Sequence, residues 1–216
     1  MLPRMIFAVI SASLLGGMIG TLIPNRYRDR TAKSAKITRN EVDLKELVRD
    51  CLEKFADRAG NENIRITSRI AADIPLLKLD RAKVCLALGG LLSNALEFTP
   101  SEGDVTIEAG VLGQGDIRIT IKDNGIGMSN YKVKTITDVP SETLHAAWQH
   151  IGEYQNANLL QVRSIVEKHG GKFQLASRQW EGTEATIELP KELACPRPSD
   201  SEPETLPQGE LGTAAA

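Results

Sequence analysis

Two side chains in this sequence stand where they could hold a small charged ligand. Asn94 lies in the apolar, helix-like stretch Leu91–Pro100, and Asp123 ends an alternating, strand-like run just before Gly125 and Gly127. An amide oxygen is a hard donor that suits Mg²⁺, and a carboxylate is a strong acceptor for an amino group. Glycines let the backbone pass close to a ligand. The spacing therefore predicts a nucleotide site, with the metal on the helix side and the base at the strand end.

These two groups need a helix and a hairpin to position them, and the sequence predicts both. Asp80 is a suitable N-cap for a helix that continues to about Phe98, where Thr99–Pro100 ends it. Two alternating runs, Val105–Val111 and Ile117–Ile121, flank a glycine-containing loop and predict a β-hairpin.

The rest of the middle of the chain alternates between helical and strand patterns. An Asp43 capping box begins a helix for which Gly60 is the natural stop, and a short helix is predicted after Ser141. Further elements are predicted, in order, as strands at 63–70 and 76–79, a helix at 159–168, and strands at 172–177 and 183–189. This order predicts an α+β fold, a two-layer α/β sandwich whose mixed, mostly antiparallel sheet carries helices on one face.

The two ends of the chain differ in composition from its middle. The net charge of the 216 residues is −2, which gives no overall bias toward nucleic acid, yet the first 40 residues carry seven basic side chains against one acidic. We divide the chain into an N-terminal segment and basic linker (1–36), a globular domain (37–190) and a disordered, acidic, proline-rich tail (191–216).

The run Ile6–Ile23 is uncharged and would be about 27 Å long as a helix, close to the thickness of a bilayer core. The excess of basic residues after it predicts a membrane anchor that leaves the domain at the cytoplasmic face of the inner membrane. The alternatives are a signal peptide, or a soluble helix packed on a partner in a cytoplasmic protein.

The three cysteines, Cys51, Cys85 and Cys195, show no C-x-x-C spacing. We expect small buried hydrophobes in a reducing compartment rather than a disulfide or a metal site.

Four segments together resemble the ATP-binding domain of sensor histidine kinases. Leu91–Pro100 is similar to the N box, Asp123–Gly127 to the G1 box, and Ile165–Gly171 and Gly182–Pro190 to the closing helix and final hairpin. The resemblance covers about residues 37–190. It implies the histidine-kinase-type ATPase fold, shared with gyrase-type and heat-shock chaperone ATPases, and ATP with Mg²⁺ as ligands.

The resemblance also implies roles for five residues. Asn94 matches the Mg²⁺ ligand, Asp123 the acceptor of the adenine amino group, Gly125 and Gly127 the backbone beside the base, and Thr183 a hydroxyl near the adenine pocket. Structural alternatives exist for three of them: a helix-face Asn bonded to a neighbouring element, a turn-forming Asp, and a Thr that begins a strand.

The sequence departs from the family at the phosphate end. Gly90 stands one turn before Asn94, where the family has a second polar residue, and Glu97 replaces a Lys or Arg.

In the G2 box, whose glycines open a helix toward the phosphates, Tyr154, Asn156 and Asn158 replace all three glycines. Asn158 could cap the helix that we predict from Leu159.

The basic side chains and histidines do not identify which residues contact the phosphates or which histidine accepts the phosphoryl group. Lys132, Lys134 and Arg163 are candidates for contact with phosphates, or are solvated surface side chains. The first 36 residues contain no His, so we expect no phosphoacceptor hairpin of the family's kind in this segment. The three histidines are His145, His150 and His169. We expect His169 to be structural and the other two to be lid side chains.

These features predict an Mg-ATP-binding, histidine-kinase-type domain in two-component signalling that phosphorylates a His on a partner in trans. The partner would be a histidine-containing dimerisation or phosphotransfer protein, or a response regulator. The alternatives are a non-catalytic pseudokinase or adaptor that docks on a kinase or response regulator, and a serine kinase or switch ATPase of the same fold.

Overall fold

A computed structural model describes residues 37–138 and 157–195 of the chain. The predicted anchor, the helix predicted after Ser141, the first half of the G2 box and the acidic tail beyond 195 lie outside these residues. Across the two described ranges, every helix is too short or too polar to cross a bilayer.

Five α-helices and seven strands make up the described fold. In chain order they are β1 (Asn40–Val42), α1 (Leu44–Glu53), α2 (Ala56–Glu62), β2 (Arg65–Ile70), β3 (Leu77–Leu79), α3 (Arg81–Phe98), β4 (Asp104–Val111), β5 (Ile117–Asp123), α4 (Asn130–Asp138), α5 (Ala157–Lys168), β6 (Lys172–Arg178) and β7 (Gly182–Leu189). A 3₁₀ turn, Lys191–Leu193, follows β7.

The main sheet has the order β2-β4-β5-β7-β6, and β2 runs parallel to β4 while the other neighbours are antiparallel. Burial alternates along β5, where Ile117, Ile119 and Ile121 are buried and Arg118 and Lys122 are exposed. A period of two in burial means that one face of the sheet packs on helices and the other meets solvent. The predicted α+β, two-layer sandwich is therefore confirmed.

The central helix, α3, begins and ends where its sequence indicates. The Asp80 side chain accepts a hydrogen bond from the backbone N–H of Lys83, and Thr99 with Pro100 ends the helix. Buried residues such as Leu88 and Leu92 lie on a wide apolar stripe of α3, because it packs against α1, α5 and β5.

The helix that was predicted to run from Asp43 to Gly60 is two helices in the structure, and Gly60 is not its stop. Asn63 ends α2 with a left-handed backbone (φ 56°), which asparagine tolerates. Ile64 N–H donates to Ala59 O (2.9 Å) and Asn63 N–H to Gly60 O (3.2 Å), a Schellman closure. Ile64 is thereby buried at the start of β2.

Helix α4 lies in a segment whose sequence shows no regular period. Its Thr and Val residues disfavour a helix, but the burial of Ile136 outweighs that preference. Thr135 and Thr137 donate their hydroxyls to the carbonyls of Tyr131 and Val133. The helix therefore depends on tertiary packing that local sequence does not reveal.

The chain stays packed on this domain beyond Pro190. Leu193 is buried, Ala194 forms a bridge with Leu77, and Cys195 N–H donates to Leu76 O at 2.7 Å. The edge of the folded unit thus lies at least five residues past Pro190, because these contacts tie residues 191–195 to β3.

Candidate functional site

Asp123 is the centre of the site that the structure forms. It is the last residue of β5, and it pairs with Thr183 on β7. Its Oδ1 accepts the backbone N–H of Gly125 at 2.9 Å and that of Thr183 at 3.1 Å. Two predicted site residues are therefore joined to Asp123 by direct hydrogen bonds.

The carboxylate of Asp123 is buried, with 8% of the residue exposed. Burial raises the pKa of Asp123 above its ordinary value, although the hydrogen bonds from Gly125 and Thr183 oppose that rise. Among the described residues, both hydrogen bonds to this carboxylate end on Oδ1. The other oxygen, Oδ2, is thus available as an acceptor for an amino group of a ligand.

The glycine turn after Asp123 is wedged between two parts of the backbone. A Cβ added at Gly125 would lie 2.3 Å from Phe98 O, at the end of α3. Gly127 has φ +60°, and a Cβ there would lie 2.0 Å from Arg178 O. Both glycines are required by the close approach of neighbouring carbonyls, because any side chain there would collide with the backbone.

Hydrogen bonds hold the turn in this position. Ile126 N–H donates to Phe98 O at 3.0 Å, and Trp180 N–H donates to Ile126 O at 2.7 Å. The turn is thereby fixed to the end of α3 on one side and to the β6–β7 connection on the other.

Ser177 belongs to the same site, and no sequence motif indicates it. Its Oγ accepts the backbone N–H of Met128 at 2.8 Å and donates to Gly182 O at 2.9 Å. The Thr183 hydroxyl lies 3.0 Å from Ser177 Oγ. Because the single Ser177 proton is used by Gly182, Thr183 is the donor of that pair, and its lone pairs are left for other partners.

Asn94 lies on α3 one turn before Phe98, the residue whose carbonyl anchors the glycine turn. Its Oδ1 accepts a hydrogen bond from Asn158 Nδ2 at 3.5 Å, the long limit of such contacts. The predicted cap role of Asn158 is wrong, because α5 begins at Ala157 and Asn158 lies in its first turn. The side-chain amide of Asn158 lies against Asn94 Oδ1, the oxygen that would bind the metal.

Helix α5 packs closely on α3 beside Asn94. A Cβ added at Gly90 would meet Val162 Cγ2 at 3.5 Å and Asn158 Cβ at 3.9 Å, both ordinary contacts. Gly90 therefore marks where α5 crosses α3, and the position would accept an alanine. Glu97, two turns after Gly90 on α3, is exposed.

Of the three candidate phosphate cations, Arg163 is engaged in a structural role. Its Nε donates to Glu167 at 2.7 Å and its guanidinium donates to Ile136 O at 2.9 Å. The side chain ties α5 to α4. Lys132 and Lys134 lie on α4, where Lys132 is partly buried and Lys134 is exposed.

A separate, open groove of about 440 Å³ lies between α2 and the end of α3. Arg58, Glu62 and Thr99 are among its lining residues, and neither Asn94 nor Asp123 is. Thr99 Oγ1 is buried without a hydrogen-bond partner within the described ranges. We do not assign the nucleotide to this groove, because it lacks the carboxylate and the glycine turn.

Residues 79–193, more than half of the chain, match the family described as histidine kinase-, DNA gyrase B-, and HSP90-like ATPase. The sensor protein RprX of Bacteroides fragilis is 26% identical over 73% of this chain and 30% of its own length. Sporulation kinase E of Bacillus subtilis is 26% identical over 74% of this chain and 21% of its own. The chain thus spans less than a third of the length of these relatives.

Solved structures show the same fold. The catalytic domain of histidine kinase ThkA superposes with a TM-score of 0.58 at 23% identity, over 71% of this chain and 96% of that one. Full-length ShkA in complex with AMPPNP superposes with a TM-score of 0.59 at 22% identity, over 72% of this chain and 31% of that one.

Proposed function

The chain belongs to the family of histidine kinase-, DNA gyrase B-, and HSP90-like ATPases, and from this premise we propose that it binds ATP with Mg²⁺. The observation that carries the proposal is the buried Asp123 carboxylate, with Oδ1 held by two backbone N–H groups and Oδ2 left as an acceptor. A buried charge costs folding free energy, and such a cost is typical of a residue kept for binding.

The residues around Asp123 fit an adenine base. Asp123 Oδ2 would accept its amino group, Thr183 would offer the lone pairs of its hydroxyl, and Gly125 and Gly127 would pass beside the ring. A side chain at either glycine would collide with a neighbouring carbonyl and displace the turn. These features support an adenine pocket at the end of β5.

Asn94 is the residue that would hold Mg²⁺. To bind the metal, its amide oxygen must lose the 3.5 Å hydrogen bond from Asn158. That hydrogen bond is weak, so its loss costs little free energy. When bound, Mg²⁺ supplies positive charge beside the phosphates, which matters here because Glu97 adds negative charge on the same helix.

We further propose that the phosphoryl group passes in trans to a histidine on a partner chain. His169 is unsuited as the acceptor because it is buried and both ring nitrogens are used: Nε2 accepts from Asp80 N–H, and Nδ1 bonds Ile165 O. His145 and His150 lie outside the described residues. A partner with a two-helix, histidine-bearing hairpin would supply the acceptor, at the inner membrane face if Ile6–Ile23 anchors the chain.

A response regulator is the second class of partner. ThkA has been solved in complex with the response regulator TrrA, and that chain superposes with a TM-score of 0.60 at 19% identity, over 88% of this chain and 53% of that one.

A non-catalytic adaptor is the second candidate function, and the phosphate end of the site favours it. Asn158 already occupies the Asn94 oxygen, Arg163 is bonded to Glu167 and Ile136, and Glu97 stands where a cation would help. An adaptor would keep the fold and dock on a kinase or response regulator without transferring phosphate.

Calorimetry of the full chain with a non-hydrolysable ATP analogue, with and without Mg²⁺, tests the proposal. We expect binding that Mg²⁺ strengthens, and we expect Asn94→Ala to abolish the Mg²⁺ effect. Asn61→Ala, an exposed asparagine on α2, is the matched control and should leave it intact. Absence of any binding heat in the wild type would remove the ATP proposal and leave the adaptor.

Labelled ATP and a purified histidine-bearing hairpin partner then distinguish the kinase from the adaptor. A kinase would place acid-labile phosphate on the partner. Binding of the analogue without any labelled partner would leave a nucleotide-binding adaptor, and acid-stable phosphate would indicate a serine kinase.

A further inference from the structure

Two thiols meet at the contact between α1 and α3, away from the residues of the candidate site. Cys51 on α1 and Cys85 on α3 have their Sγ atoms 3.1 Å apart. A disulfide bond is about 2.05 Å long, so the sulfurs need to approach by about 1 Å. Rotation of the two side chains supplies a displacement of that size.

The two sulfurs have different surroundings. Cys51 is buried, whereas Cys85 is partly exposed. The ammonium of Lys54 donates a hydrogen bond to Cys85 Sγ at 3.4 Å. Burial, together with the contact to Cys85, raises the pKa of Cys51 to about 12, so Cys51 stays protonated. Cys85 is therefore the nucleophile of the pair and Cys51 its resolving thiol.

We propose that Cys51 and Cys85 form a peroxide-responsive thiol pair that closes to a disulfide between α1 and α3. The Cys85 sulfur attacks one oxygen of hydrogen peroxide, the O–O bond breaks, and a sulfenic acid and one water are formed. The Cys51 sulfur then displaces the sulfenic oxygen, which leaves as water with the Cys51 proton. Two thiols and one peroxide thus give one disulfide and two waters.

The neighbourhood keeps the two helices in register for this bond. Asp50 on α1 and Arg81 on α3 form an ion pair beside the thiols. The disulfide would close a loop from residue 51 to 85 that contains α2, β2 and β3, and it would restrict the unfolded chain. We expect the oxidised protein to have a melting temperature roughly 5 °C above that of the reduced protein.

The test is titration of the reduced full chain with hydrogen peroxide, followed by alkylation, digestion and mass spectrometry. We expect one cross-linked peptide pair that contains Cys51 and Cys85 and is lighter by two hydrogen atoms. Cys195→Ala should behave like the wild type, because Cys195 is a buried thiol outside the pair. Lys54→Met should slow the cross-link several-fold.

Cys51→Ala and Cys85→Ala separate the two roles. A sulfenic acid that dimedone traps at Cys85 should accumulate in Cys51→Ala, while Cys85→Ala should show no trapped sulfenic acid at Cys51. Oxidation of the wild type to a Cys85 sulfinic acid without a cross-link would overturn the proposal. A cross-link between two chains would also overturn it.

Discussion

At the scale of single residues, Asp123 combines a folding cost with the clearest binding role. Its burial raises its pKa, so the folded protein binds the proton more tightly than the unfolded chain does. Asp123 therefore adds to the free energy of unfolding at pH values below the ordinary aspartate pKa. This contribution is lost as the pH rises through the raised pKa. At neutral pH the charged Asp123 destabilises the fold.

We predict that Asp123→Asn is more stable than the wild type at pH 7, by roughly 0.5–2 kcal/mol, a typical gain when a functional strain is removed. The amide oxygen keeps the hydrogen bonds from Gly125 and Thr183, while the buried charge disappears. Urea unfolding from pH 3.5 to 7 should show the difference growing as the pH rises. A difference that shrinks toward neutral pH would contradict the assigned cause of the pKa shift.

Gly127 is the residue whose replacement should distort the turn most. Alanine there would have a left-handed backbone and a Cβ 2.0 Å from Arg178 O, so we predict a loss of at least about 2 kcal/mol. Gly113→Ala is the control, because open space surrounds that position and the change should cost less than about 0.5 kcal/mol. Denaturant unfolding measures both, and equal stabilities would show that the turn is not constrained.

At the scale of elements, α3 connects the predicted metal end of the site to its base end. Its first turn is held by Asp80, which accepts the N–H groups of Thr38 and Lys83 and the ammonium of Lys83. Burial alone would raise the pKa of Asp80, but these hydrogen bonds outweigh it and hold the pKa below its usual range. Asp80 therefore stabilises the fold above the ordinary aspartate pKa and loses that effect as the pH falls through the lowered one.

We predict that Asp80→Ala costs about 1–3 kcal/mol at pH 7, because a buried cap with three donors loses its acceptor. The loss relative to the wild type should diminish below pH 4. Asp43→Ala, which removes the exposed cap of α1, should cost less, about 0.5–1 kcal/mol. Thermal unfolding from pH 7 to below pH 4 measures both variants. A loss of stability in Asp80→Ala that does not change with pH would contradict the role assigned to Asp80.

At the scale of the whole molecule, the residues that stabilise the two faces of the sheet are separate from those of the candidate site at the end of β5. One face carries the buried isoleucines of β5, and the other face carries cross-strand pairs such as Arg118–Glu188 and Thr120–Thr186. The site lies where β5 ends against β7 and α3. The helices thus position Asp123 by packing, and its two hydrogen bonds within the described ranges come from backbone N–H groups.

The periodic parts of the fold were predictable from the sequence, and the contacts between elements were not. The period of two in β5 and the caps at Asp43 and Asp80 are local signals, and the structure confirms them. The split between α1 and α2, helix α4, and the role of Ser177 depend on which segments meet in space. Hairpin register places Ser177 opposite Thr183, and no local pattern states that register.

The affinity of the full chain for a non-hydrolysable Mg-ATP analogue, compared between the wild type, Asp123→Asn and Asp57→Asn, tests the central claim most directly. Asp57 is an exposed carboxylate on α2 and serves as the matched control. We predict a loss of roughly 100-fold or more in Asp123→Asn, because an amide donor would face the adenine amino group, and no loss in Asp57→Asn. Equal affinity in all three proteins would contradict the assignment of the adenine pocket to Asp123.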